Sequence, residues 1–332
     1  MNQVLEQDQQ FEAQEWEWEP GPRTVKMWMT EPPGGIGAGT GLMLCLHNWG
    51  GIYDQEIYRG WCSTFAERYD VVGVSVNYLQ SGDDWKLRRD RPYDHGYLQA
   101  MDCIGALYHV RRQMLDAGLP FDEHRIFSMG GSGGGNVTQM ACKLAPHSFA
   151  VGIDICGMPG LIDAIAYGTG EGTHISAEYT RDPHSRRYLS EDMREIRDFG
   201  HPEHCRLLHE ANPELKVVIV HGVDDLSCPV VPKIRQFANM IAAGISVDGH
   251  FLTPLDVDGE AVTTTGHPVG NRDRVVMKHA DEYLLPGGRL AKRSAQENDF
   301  QRAGSFEYPT ANGKYVIDFA GYPTIEFVAD AG

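Results

Sequence analysis

No apolar run in the 332-residue chain is long enough to cross a bilayer, which removes the helical membrane-spanning class. Positive charge is scarce: 29 Lys and Arg stand against 46 Asp and Glu, for a formal net charge of −17. That balance disfavours nucleic acid and anionic membrane surfaces as partners, because both are held by clustered cations. It also repels strongly anionic substrates at long range, an effect that salt screens. Residues 1–20 hold six acids and no Lys or Arg, so they read as neither a signal peptide nor a transit peptide. A disulfide framework is missing too. The seven cysteines (Cys45, Cys62, Cys103, Cys142, Cys156, Cys205, Cys228) are odd in number and scattered. Several fall in apolar runs, where a thiol is a small apolar side chain. A reduced cytoplasm is the simplest compartment, secretion remaining open if a signal has been removed. Internal repeats and long low-complexity segments are lacking as well.

What is present is a core-forming pattern. The 42% hydrophobic content can fill one large α/β domain with insertions, or two small domains. Dense β-branched and apolar runs at residues 42–46, 71–77, 149–155 and 216–221 predict buried strands. Residues 24–29 alternate and predict another. The mixed apolar and acidic stretch 11–19 fits an edge strand or an extended arm. Helical spacing appears over 98–115, 232–243 and 273–284. Strands alternating with helices imply a mainly parallel sheet covered on both faces.

Four segments carry chemistry. The first is Gly130-Gly131-Ser132-Gly133-Gly134. Before it lies a short apolar strand from Arg125 to Met129; after it Val137, Met140, Ala141 and Leu144 fall at helical spacing. Ser132 therefore sits on a sharp strand-to-helix turn, which is where a serine nucleophile is displayed. A phosphate loop is ruled out, because Asn136 and Val137 stand where Lys and Ser/Thr are needed. A dinucleotide G-x-G-x-x-G fails in either register. The second segment is His221-Gly222-Val223-Asp224-Asp225-Leu226-Ser227-Cys228-Pro229, at the end of a predicted strand. The third is Thr263-Thr264-Thr265-Gly266-His267-Pro268, after a last strand placed near 249–255 and before the final helix. The fourth, His47-Asn48-Trp49-Gly50-Gly51, follows the run 42–46.

Taken in chain order, 47–51, 130–134, 221–229 and then 263–268, these segments resemble the α/β-hydrolases of the serine esterase, lipase and prolyl-oligopeptidase-like group. The resemblance covers roughly 23–285. It implies a doubly wound, mainly parallel sheet with a cap inserted between the sixth and seventh strands, here at about 157–215. It also implies a Ser-Asp-His triad of Ser132, Asp225 and His267, with Asp224 as the alternative acid. His279 is the competing base, although it lies within a predicted helix. His221 reads as structural. The loop at 47–51 would supply one oxyanion donor, Trp49 or alternatively Asn48, and Gly133 the other. Asn and Trp replace the usual glycines of that loop, which leaves the donor open. Trp49 and Gly131 are expected to line the substrate pocket.

The implied activity is hydrolysis of a small-molecule carboxylic ester through an acyl-enzyme, with no metal or organic cofactor. A prolyl-oligopeptidase-like peptidase or an acyltransferase would use the same triad. The former usually carries a large accessory propeller, for which 332 residues leave no room. A haloalkane dehalogenase is excluded, since its nucleophile is Asp. From another class, an inactive hydrolase scaffold could bind a ligand or partner. His201, His204, Cys205 and His209 cluster within the insertion, but a polar cap surface explains them more simply than a metal site. Residues 1–22 read as an acidic N-terminal arm. Residues 286–332 read as a β-hairpin extension turning at Asn312-Gly313, either packed on the main domain or used for self-association as a homo-oligomer.

Overall fold

The structure is a computed structural model that describes residues 4–83, 90–170 and 172–331. Residues 1–3 of the acidic N-terminal segment and Glu171 of the expected cap lie outside them. Strands β1 (Asp8–Ala13), β2 (Arg23–Thr30), β3 (Gly41–Leu46), β4 (Val71–Val76), β5 (Ile126–Gly131), β6 (Val151–Ile155), β7 (Lys216–Gly222) and β8 (Ser246–Leu252) form one sheet. Their order is β1-β2-β4-β3-β5-β6-β7-β8. β1 and β2 are antiparallel to their neighbours, and β4, β3 and β5 to β8 run parallel.

Every position of β3 to β7 is buried. Strands covered on both faces read as continuous apolar runs, and these did. Alternate residues feed two cores. Leu42, Leu44, Val217 and Ile219 enter one; Met43, Cys45, Val218 and Val220 enter the other. The second core lies under α1 (Glu56–Tyr69) and α8 (Arg272–Leu284). The first lies under α2 (Tyr97–Asp116), α3 (Gly133–Leu144), α6 (Pro202–Ala211) and α7 (Val230–Ala242).

The insertion holds the short helices α4 (Asp163–Tyr167) and α5 (Glu191–Ile196), together with α6. Its apolar side chains, among them Met158, Leu161, Ile165 and Tyr179, form a third cluster that includes Cys228 and packs against Trp49. The cap thus touches both the loop after β3 and the loop after β7.

Several expectations shift. Part of the acidic N-terminal segment is sheet rather than an arm: β1 is the edge strand, and Phe11 joins the core. β8 begins earlier than placed and ends at Leu252. Beyond helix α9 (Asp299–Arg302), the C-terminal hairpin is a three-stranded meander of β9 (Ser305–Thr310), β10 (Gly313–Asp318) and β11 (Thr324–Ala329). It packs on the main body through Tyr308, whose hydroxyl donates to the Lys143 carbonyl at 2.7 Å.

Candidate active site

Ser132 occupies the turn between β5 and α3 with φ 57° and ψ −120°. A non-glycine residue in such a region costs about 1–3 kcal/mol and persists only where its surroundings hold it. Here the Ser132 N–H donates to Ile155 O at 2.8 Å, and Ser132 O accepts from Asn136 N–H at 3.1 Å. The turn is tight enough that a Cβ on Gly130 would fall 2.2 Å from Gly134 O. The glycines flanking the serine are needed to bring strand and helix together. Ser132 itself is only 7% exposed.

The loops after β7 and β8 are laced together. Asp224 N–H donates to Thr265 O at 3.0 Å, and Thr265 Oγ1 donates to Asp224 Oδ2 at 2.5 Å. These bonds bring His267 over Asp225. His267 Nδ1 lies 2.9 Å from Asp225 Oδ2, while Asp225 Oδ1 accepts the backbone N–H groups of Ser227 and Cys228, each at 2.8 Å. Burial pushes the Asp225 carboxyl upward, but the His267 hydrogen bond and charge and the Cys228 N–H outweigh it, and the net shift is down. Asp225 is therefore a carboxylate that accepts from Nδ1–H. That fixes the tautomer and leaves Nε2 as the nitrogen able to take a proton. The aspartate side chain is fully buried and the histidine side chain 20% exposed, so only the imidazole is within reach of a substrate.

The structure thus pairs Asp225, not the exposed Asp224, with His267. Asp224 ties the two loops instead. His279 lies along α8 against His250, with ring centroids 4.2 Å apart and the ring planes tilted by 44°; burial pushes it down to about 4. His221 is fully buried and bonded to Cys228 O at 2.7 Å.

The loop after β3 approaches the serine from the other side. A Cβ on Gly133 would lie 2.8 Å from the Trp49 backbone nitrogen. The Gly133 and Trp49 peptides are thus neighbours. His47 braces the loop from within: its Nδ1 donates to Asn48 O at 2.9 Å and its Nε2 faces Ser81 Oγ at 2.8 Å. Burial keeps it neutral, down to about 4. The Asn48 side chain bonds the Tyr58 hydroxyl and the Trp49 carbonyl, so it is engaged in holding the loop. The Trp49 ring stacks on Tyr93 at 3.6 Å and forms a wall toward the cap cluster.

Two neighbours escaped the sequence reading. Cys156, just past β6, places Sγ within 4.8 Å of donor atoms on both Asp225 and His267. As a metal set this trio fits poorly, because Asp225 already accepts three hydrogen bonds with its two oxygens. The other is Arg272, whose guanidinium packs where a side chain on Gly131 would stand, 2.1 Å from the Cβ position. The arginine thus fills the space beside Gly131, the residue before the nucleophile. The cap histidines are used elsewhere: His204 Nε2 donates to Pro309 O at 2.7 Å, and Cys205 Sγ faces Phe199 O at 3.3 Å.

The family model of a protein of unknown function, DUF2920, matches residues 89–324. The chain belongs to the DUF2920 family. No curated protein matches it. Among solved structures, this DUF2920 chain is similar to the acylaminoacyl peptidase of Pyrococcus horikoshii, with a TM-score of 0.54 at 13% identity, over 88% of this chain and 43% of that one. It is also similar to a protein assigned as a dipeptidyl aminopeptidase IV from Bacteroides ovatus, with a TM-score of 0.54 at 13% identity, over 82% of this chain and 34% of the other. The chain therefore spans less than half the length of these structures. At such identity the likeness concerns the fold, and the DUF2920 chain has an α/β-hydrolase fold.

Proposed function

We propose that this DUF2920 protein is a serine hydrolase that transfers an acyl group to water, with a carboxylic ester as its preferred substrate. The observation that carries the reading is the 2.9 Å contact from His267 Nδ1 to a buried, depressed-pKa Asp225, on a loop of the fold that also displays Ser132 at positive φ.

In this mechanism His267 Nε2 accepts the Ser132 proton as Oγ attacks the acyl carbon. Asp225 holds the Nδ1–H tautomer and stabilises the imidazolium, without taking the proton itself. The N–H groups of Gly133 and Trp49 receive the tetrahedral oxyanion. Asn48, the alternative donor, acts through its loop contacts. The imidazolium then protonates the departing alcohol. Water, deprotonated by His267, attacks the acyl-enzyme, releasing the acid and restoring Ser132.

A second reading, cleavage of an amide or peptide, is favoured by the likeness to two structures with peptidase names. The same groups would act, with the amine as leaving group. A panel of p-nitrophenyl esters of increasing acyl length, run beside aminoacyl-p-nitroanilides, separates the two. We expect turnover of the esters. Turnover of the anilides alone would overturn the ester reading, and turnover of neither, with Ser132 unreactive, would overturn the hydrolase reading.

A further inference from the structure

Arg272 is the first residue of α8, five positions after His267. A cation there is disfavoured, because the helix N-terminus carries the positive end of the macrodipole. Its side chain nevertheless turns inward. Nε is buried without a hydrogen-bond partner, and among the described residues no carboxylate pairs with the guanidinium. Other inward arginines of this chain are held: Arg23 by Asp102 at 2.6 Å, and Arg125 by the carbonyls of Tyr69 and Asp70.

Its location is specific. The Cβ position of Gly131, the residue before the nucleophile, lies 2.1 Å from Nε and 2.4 Å from Cδ and Cζ. Any side chain at 131 would expel it. Among the ionisable groups near the guanidinium are Cys156, Tyr58, Cys228 and Tyr78. Burial raises all four, so they are neutral thiols and phenols at pH 7. Three of them mark the place further. Cys156 adjoins His267 and Asp225, while the Tyr58 and Tyr78 hydroxyls bond Asn48 and the His47 carbonyl. Arg272 therefore lies between the His267 loop and the loop after β3, beside Ser132.

A guanidinium stays charged in proteins and presents a planar fork matched to a carboxylate. Half-buried, with no carboxylate partner among the described residues, it is costly to desolvate further, and a bound anion offsets that cost. We propose that Arg272 is the anion-recognition residue of the site, and that the substrate carries a carboxylate close to its reacting carbonyl. The net charge of −17 does not forbid this. Its repulsion is screened beyond about 8 Å, whereas the contact with Arg272 is short and desolvated. The proposal rests on the hydrolase reading for its location beside the nucleophile.

The test compares each anionic ester with its neutral methyl ester, with the carboxylate on either side of the bond. One pair is mono-4-nitrophenyl glutarate and methyl 4-nitrophenyl glutarate; the other is acetoxyacetate and methyl acetoxyacetate. The wild type should prefer the anionic member of at least one pair. Arg272→Gln should lower kcat/KM for that member at least about 30-fold, the scale of losing one half of a desolvated charge pair, while the neutral ester changes less than about threefold. Arg272→Lys should keep part of the preference. Equal losses on both members, or no preference in the wild type, overturn the proposal. Glutarate titrated into Ser132→Ala gives a readout independent of turnover: it should raise Tm in that protein and not in Ser132→Ala/Arg272→Gln. An equal or absent shift also overturns it. Labelling of Ser132 by a fluorophosphonate reports separately on the hydrolase reading, and Arg272→Gln should remain labelled and folded.

Discussion

Replacing Asp225 by Asn changes one atom and should nearly abolish turnover. Oδ1 accepts two backbone N–H groups at 2.8 Å, from Ser227 and Cys228. An amide nitrogen cannot accept them, so the asparagine oxygen must stay there and its NH₂ must take the Oδ2 position. That position lies 2.9 Å from His267 Nδ1. Two donors would then face each other unless the imidazole carries its proton on Nε2, the tautomer that cannot receive the Ser132 proton. The expected loss in kcat is about 10⁴-fold, or about 5 kcal/mol of transition-state stabilisation. Stability should change by no more than about 2 kcal/mol, because the oxygen keeps its two N–H partners and only their charge assistance is lost. The assay is single-substrate kinetics on the best p-nitrophenyl ester, with Tm recorded alongside. Asp224→Asn serves as the control and should stay within about threefold, since Asp224 only ties Thr265. An Asp225→Asn protein that keeps more than about a tenth of wild-type kcat would refute the reasoning, as would an inactive Asp224→Asn beside an active Asp225→Asn.

Gly133→Ala places a Cβ 2.8 Å from the Trp49 nitrogen and 3.2 Å from its Cα, so the loop after β3 must retreat. The expected loss is about 10²–10³-fold in kcat, the scale of one misplaced oxyanion donor, with a smaller change in KM; a kcat within threefold of wild type contradicts that geometry. Acid should destabilise the fold through buried histidines. Burial lowers His47 to about 4, His95 to about 3 and His204 to about 2, against about 6.5 in an unfolded chain. Their folded values are depressed, so the stability they contribute is complete above about pH 6.5 and is lost as pH falls toward the folded values. Each should remove about 1.4 kcal/mol per pH unit once the unfolded form is protonated. Calorimetric unfolding from pH 7 to pH 5 should show a falling Tm with proton uptake, and a flat Tm over that range would be the contrary result.

The parts of the molecule that were legible from sequence share a physical cause. Strands β3 to β7 are buried on both faces, so their runs are apolar throughout and stand out from the turns between them. Ser132 was legible because the glycines around it are demanded by backbone-to-backbone contact and lie between a strand run and a helical run. Asp225 and His267 were placed through a resemblance, and their mutual contact is a fact of folding that no local pattern could reveal. The edge strand β1 was harder, since its mixed acidic and apolar residues suit an edge and an arm equally. The cap was opaque because its helices are short, five to ten residues, and their apolar contacts are with distant segments such as Tyr93 and Cys228. Arg272 read as an ordinary charge opening a helix. Its meaning depends on Gly131, 141 residues earlier in the chain. The only local signal was its sign: a cation in a first helical turn opposes the dipole.

The reactivity of Ser132 tests the hydrolase reading most directly. Incubation with a fluorophosphonate, followed by peptide mass spectrometry, should give one adduct on Ser132 and stoichiometric loss of ester turnover. Ser132→Ala should fold with an unchanged unfolding transition, take no label and lose about 10⁴-fold or more in kcat. An unlabelled wild-type protein, or a Ser132→Ala protein that hydrolyses esters at near the wild-type rate, would contradict it.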